Sequence, residues 1–172
     1  MDRDLALLTK MFEYDQGSPK RIQHMLKVYG FVCYICAQEK VDASIRLIAE
    51  TAAIVHDIGI RPSLAKYGRG NGYYQQIEGP ARAEAMLREL HYPEAVIQRI
   101  VYLVAHHHTF TNIEGLDYQI LVEADFLVNL YEKNMGREPI ESVLHKVFRT
   151  ATGKHLMQQM FLDPVLEIPT SQ

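Results

Sequence analysis

The chain has 172 residues, of which 48% are hydrophobic and 23% charged, and a formal net charge of -3. That length fits one domain around a continuous core, and the composition is that of an ordinary globular protein. The slight acidity excludes a global basic field that would recruit nucleic acid or an anionic membrane, but a small phosphate-bearing ligand needs only a local positive site.

The first fifteen residues carry Asp2, Asp4, Glu13 and Asp15 and lack the apolar core of a signal peptide. No window approaches the roughly 18 uninterrupted apolar residues of a membrane span. Two cysteines are too few for a disulfide framework. A cytoplasmic location is the resulting expectation.

Apolar residues recur at helical period almost throughout, so the expected fold class is all-α. A first short helix covers about residues 2–14. Gly17-Ser18-Pro19 reads as a break, an N-cap and a first-turn proline, opening a helix to about Glu39. Asp42 caps the next helix, which runs to Gly59, and its last turns are apolar on all sides, as in a buried helix. Residues 60–77, with Gly68, Gly70 and Gly72, read as a loop bordering a site. Tyr73 and Tyr74 within it suit either ring stacking on a ligand or loop packing. Helices are expected at about 78–90 and 93–107, then from an Asp117 N-cap to about Asn134. Pro139 starts another, and Gly153 separates it from a final short one.

Several polar groups fall where this periodicity calls for apolar ones. Asp125 shares a helical face with Leu121, Val122 and Val128. A carboxylate there is costly unless it is hydrogen-bonded, ion-paired or bound to a metal. His56 and Asp57 pose the same problem, with Ala52, Ala53 and Ile54 one turn back. A divalent cation would serve all three. Imidazole and carboxylate donors together suit Mn, Fe, Ni, Zn or Mg. Adjacent helical residues point about 100° apart, so His56 and Asp57 can reach one ion only near a helix end, with the other ligands coming from other helices. Cys33 and Cys36 fall mid-helix without a second pair and read as core. His91, His145 and His155 have no partner pattern and read as structural or surface.

The chain resembles the HD superfamily of metal-dependent phosphohydrolases, on a helical His, a His-Asp pair ending the next long helix, and a distant Asp. Here these are His24 in Arg21–Val28, His56-Asp57 in Ile54–Gly59, and Asp125 in Glu123–Leu127. The resemblance spans about residues 20–131. It implies one HD-type helical bundle over residues 1–172, with a motif-bearing core at about 18–134 and C-terminal helices at about 139–162 packing on it. It also implies a divalent ion held by His24, His56, Asp57 and Asp125.

Relatives with two ions use a His-His pair between these motifs, which singles out His107 and His108 from the run His106–His108. Many place another His just before a helix start where this chain has Gln75-Gln76-Ile77-Glu78-Gly79. Glu78 is the nearest substitute, either as a second-metal ligand or as general base. Many relatives also carry a Lys directly after the motif that ends at Gly59. Here Ile60 and Arg61 follow, making Arg61 the candidate phosphate contact, with Lys20, Lys27, Lys66 and Arg69 as further cations.

The implied activity is hydrolysis of a small phosphate ester, a nucleotide or phosphorylated metabolite, by metal-activated water. Asp57 would bind one ion or bridge two, and His107 and His108 would stabilise charge or donate a proton. Two alternatives stay open: a di-iron HD-type oxygenase, and a non-catalytic module that binds a nucleotide. The expected partner is a small phosphorylated substrate. Membrane and nucleic acid are not expected, and homo-oligomer formation is open.

Overall fold

The structure, a computed structural model, describes residues 3–164, which form helices joined by turns and short loops, with no strand among them. The first helix, α1 (Arg3–Tyr14), ends in a turn whose Gly17 has φ +81°, the left-handed region that favours glycine. Pro19 then opens α2 (Pro19–Gln38). Ser18 sits at the N-cap without making a side-chain cap bond, so the proline's fixed φ marks the start.

Helix α3 (Ala43–Val55) stops four residues short of the expected end at Gly59. Bonds from Ile58 N to Val55 O and from Ile60 N to Asp57 O are of the tight three-residue kind, so residues 56–59 form turns. Its second half is buried without interruption from Ala49 to Val55, as its apolar periphery requires.

The expected loop at 60–77 is mostly helix. Helix α4 (Ile60–Tyr67) ends at Gly68, whose φ is +65° and whose N–H bonds Leu64 O. Helix α5 (Gly72–Glu89) begins at an Asn71 N-cap, whose side chain accepts from Tyr74 N. The glycines and Asn71 are therefore caps of two helices separated by only residues 68–71. Helix α5 starts six residues before expected and carries Pro80 in its interior, which places Glu78 mid-helix.

Pro93 precedes α6 (Glu94–His106), and Gly115, with φ +91°, caps α7 (Leu116–Glu132). Asp117 is not the N-cap expected of it. It lies inside the first turn, buried, and both its oxygens take the Arg99 guanidinium at 2.7 Å. Helix α8 (Arg137–Lys146) begins two residues before Pro139. Thr150 caps α9 (Ala151–Met157) by accepting from Gly153 N, and a π-turn (Gln158–Leu162) follows. Gly153 thus sits within the last α-helix rather than before it, at a position where a side chain would overlap the Glu123 carboxylate.

Helix α3 packs against α1, α2, α6 and α7, and α5 lies along α6. Val28, Val32, Ile54, Leu103, Leu121 and Leu127 are buried at these interfaces. No helix among the described residues is long and apolar enough to cross a membrane.

Gly59 fixes how the turn after α3 meets α5. A Cβ at Gly59 would stand 2.5 Å from Gln75 O and 2.9 Å from Gly79 N, both backbone atoms. Backbone cannot swing aside as a side chain can. Gly59→Ala is therefore expected to cost about 1–3 kcal/mol of stability, read as a lowered urea midpoint at unchanged slope.

Candidate metal centre

His24 projects from the second turn of α2 and Asp125 from the middle of α7, and the turn after α3 carries His56 and Asp57. Their ligand atoms converge. His24 Nε2 lies 3.1 Å from Asp125 Oδ1, 3.3 Å from His56 Nε2 and 3.4 Å from Asp57 Oδ2. His56 Nε2 is 3.6 Å from Asp125 Oδ1 and 3.7 Å from Asp57 Oδ2. The outer nitrogens are already committed. His56 Nδ1 donates to Ala53 O at 2.8 Å, and His24 Nδ1 bonds Glu132 Oε2 at 3.1 Å. Both Nε2 atoms are thereby turned toward each other and toward two carboxylates, with carbonyl and carboxylate partners behind the rings, as in metal sites.

Charge in the cluster is strongly coupled. Burial lowers the His56 pKa, but the Asp57 charge and the Asp125 hydrogen bond outweigh it and push it up to about 9. At His24 burial likewise lowers the pKa, but the Asp125 hydrogen bond and the Asp57 charge outweigh it and raise it. Asp125 is held well below the carboxylate range despite its burial by hydrogen bonds to His24 and His56. Asp57 is lowered too, with burial outweighed by the His56 charge and by His107 beside it. Without a metal, protons on the imidazoles supply the positive charge this donor set calls for.

Asp57 also belongs to a second group. Its Oδ1 lies 3.6 Å from His107 Nε2, and Asp57, His107 and His108 each offer a ligand atom within 4.8 Å of one another. His107 is 1% exposed, and its Nδ1 donates to Val104 O, while its Nε2 is buried with no hydrogen-bond partner. A buried, unpartnered imidazole nitrogen facing a carboxylate is the strongest sign here that a cation belongs in the cluster. Burial and His107 push the His108 pKa down to about 4. His106 is separate: its Nδ1 bonds Tyr102 O and its ring stacks on Tyr102.

Two candidates stand elsewhere. Glu78 Oε1 accepts from Lys66 Nζ at 2.8 Å and from the Tyr67 hydroxyl at 2.7 Å, bonds that lower its pKa. It lies outside both ligand groups, because the helix begins at Gly72 and residue 78 is turned toward α4. Arg61 points away as well, donating to Tyr14 O at 2.5 Å and lying over the Tyr14 ring. Tyr74 stacks on Tyr67 with centroids 4.3 Å apart, so this ring is used in packing. Lys27 is bound to Glu132.

A cleft of about 570 Å³ opens over the cluster. His24, Asp57 and His108 form part of its wall, and Lys20, Arg21 and Lys133 bring positive charge to it. Arg21 is tied to Asp15 at 2.6 Å. Among residues that sequence reasoning missed, Asn129 donates to Asp125 Oδ1 at 2.7 Å and Glu132 supports His24. Their spacing of four and seven from Asp125 on one helix was a legible sign. Cys33 and Cys36 are free thiols in the α2 packing. Burial, with Glu50 nearby, pushes them up to about 12 and about 11, as expected of inert core residues.

The model of one protein family, described as HD domain, matches residues 21–147. A crystal structure described as a predicted HD superfamily hydrolase from an uncultured Thermotogales bacterium is similar in fold, with a TM-score of 0.65. The two share 23% identity over 90% of this chain and 83% of that one. Among curated proteins, none matches the chain.

Proposed function

Because the chain belongs to the HD domain family, whose members are typically metal-dependent hydrolases, we propose that it hydrolyses a small phosphate ester, a nucleotide or phosphorylated metabolite. The observation that carries this reading is the convergence of His24, His56, Asp57 and Asp125 beneath a cleft with Lys20 and Lys133 on its wall. The donor set fits a divalent ion, and the unpartnered His107 Nε2 beside Asp57 points the same way. When bound, such an ion supplies Lewis acidity toward a phosphoryl oxygen and lowers the pKa of water to near neutrality.

The chain's own residues do the rest. Lys20 and Lys133, both exposed, hold the anionic ester at the mouth of the cleft, the part the sequence assigned to Arg61. Asn129 keeps Asp125 Oδ1 in place, and Glu132 keeps His24 Nε2 turned inward. His107, with its Nδ1 proton committed to Val104 O, keeps a lone pair on Nε2 that can take the proton released as water attacks. That role replaces Glu78, whose carboxylate is engaged by Lys66 and Tyr67.

The test is elemental analysis of the purified protein, then a panel of nucleotides and phosphorylated metabolites with Mn, Fe, Ni, Zn or Mg added. Turnover of at least one phosphoester that stops with chelator is expected. Nucleotide binding without turnover under any metal would overturn the reading in favour of a binding module, and oxygen-dependent, iron-requiring turnover would favour an oxygenase. For a phosphoester that is turned over, Lys20→Ala and Lys133→Ala should each raise KM roughly tenfold, the loss of one charge-assisted contact of about 1.4 kcal/mol. Because both act on binding, kcat should stay within about twofold.

A further inference from the structure

Helix α1 lies ahead of residues 21–147, the part matched by the HD domain model, yet it packs on α3 with Leu7 and Met11 buried. Its last residue reaches the turn that carries His56 and Asp57. The Tyr14 hydroxyl donates to Ile58 O at 3.0 Å, and Ile58 directly follows Asp57. In return, Arg61 Nη1 donates to Tyr14 O at 2.5 Å, and its guanidinium lies over the Tyr14 ring, 5.3 Å from the centroid. Two bonds of opposite direction thus join the end of α1 to the start of α4.

The sequence calls for the first of them. A carbonyl just ahead of a helix is normally taken by the N–H four residues on, as Gly59 O is taken by Ser63 N at 3.1 Å. For Ile58 that residue is Pro62, which has no N–H to give. The Ile58 carbonyl therefore needs a donor from elsewhere, and the Tyr14 hydroxyl supplies it. The same turn abuts α5, where a Cβ on Gly59 would stand 2.5 Å from Gln75 O. Residues 56–59 lie outside regular helix, so contacts with α1 and α5, not a continuous hydrogen-bond ladder, set where Asp57 stands. Metal sites tolerate ligand displacements of only about 0.2 Å.

We propose that Tyr14 and Arg61 are positioning residues for the metal centre. The Tyr14 hydroxyl holds the Ile58 carbonyl, and through it the Asp57 carboxylate, while Arg61 holds Tyr14 in place. Arg61 then serves the site from behind the turn rather than by touching phosphate. This rests on the metal-dependent reading of the site, but it concerns how tightly the ion is held rather than what is hydrolysed.

Calorimetric titration of the metal-free protein with Mn²⁺ tests it without substrate. Tyr14→Phe keeps the ring and removes only the hydroxyl, and it should raise the Kd for Mn²⁺ about tenfold, as should Arg61→Ala. Leu7→Val, two turns earlier in α1, is the control for general loosening of this helix. It should lower the urea midpoint yet leave the Mn²⁺ Kd within about twofold of the unaltered protein. Tyr14→Phe that binds Mn²⁺ as tightly as the unaltered protein, or Leu7→Val that weakens it equally, would overturn the proposal. With a phosphoester that is turned over, Arg61→Ala at saturating Mn²⁺ should leave KM within about twofold, and a tenfold rise would overturn the role of Arg61. Failure of the phosphoester panel leaves the Mn²⁺ comparison standing, whereas an unaltered chain that binds no Mn²⁺ would overturn the metal reading and this proposal with it.

Discussion

Asp57→Ala should strip bound metal from the protein and lower phosphoester hydrolysis by at least about a thousandfold, roughly 4 kcal/mol of transition-state stabilisation. The size of the effect follows from the position of the carboxylate. Its Oδ2 faces His24 and His56 at 3.4 and 3.7 Å, and its Oδ1 faces His107 at 3.6 Å, so it is common to both ligand groups. Loss of any one imidazole leaves Asp57 and the remaining donors; loss of Asp57 removes the member that joins them. Elemental analysis and activity on the same preparation, with far-ultraviolet circular dichroism to confirm helix content, check the expectation. Full metal and full activity in the variant would remove Asp57 from the site.

The second large effect is on folding. Glu123→Ala should cost about 3–5 kcal/mol, which for a chain of this size lowers Tm by roughly 6–20 °C. Glu123 is fully buried two residues before Asp125, yet it faces the other way. Its carboxylate accepts from Gln119 Nε2 at 2.7 Å, Arg149 N at 2.6 Å, Thr150 N at 2.9 Å and the Thr150 hydroxyl. It therefore anchors the segment between α8 and α9 to α7. Truncation leaves two backbone N–H groups and a hydroxyl without their acceptor, while Glu123→Gln keeps one acceptor oxygen and should lose less. Thermal melts of both variants give the comparison. Metal bound by folded Glu123→Gln should match the unaltered protein, since this carboxylate is outside both ligand groups.

The candidate ligand positions were legible because their signal is local. A charged or imidazole side chain on an apolar helical face stands out whatever lies around it, and His56, Asp57 and Asp125 did so. The helical class was legible for the same reason. The stretch from Ile60 to Ile77 was misread because glycine has two uses: Gly68 terminates one helix with a left-handed cap, and Asn71 begins the next, so a row of small residues that looked irregular is helix punctuation. Glu78 and Arg61 were singled out by their place in the motif order, but whether they face the cluster depends on where α5 begins and on the Tyr14 carbonyl, which no local pattern encodes. Gln75 and Lys133 are unremarkable in sequence and Lys20 is one of several candidate cations there; they become informative only when α5 and the ends of α2 and α7 are brought to one cleft.

The wide sequence separation of the converging side chains has a consequence for abundance. His24 and Asp125 are 101 residues apart, and they meet the His56-Asp57 turn only when α2, α3 and α7 are packed. An unfolded chain has no such assembled site. An ion held there thus favours the folded state by mass action, about 2.7 kcal/mol at a free concentration a hundredfold above Kd. For a small protein that is a sizeable share of its whole stability. Scarcity of the ion would then reduce not only how fast each molecule works but how many folded molecules survive degradation, tying the amount of this protein to the supply of its metal.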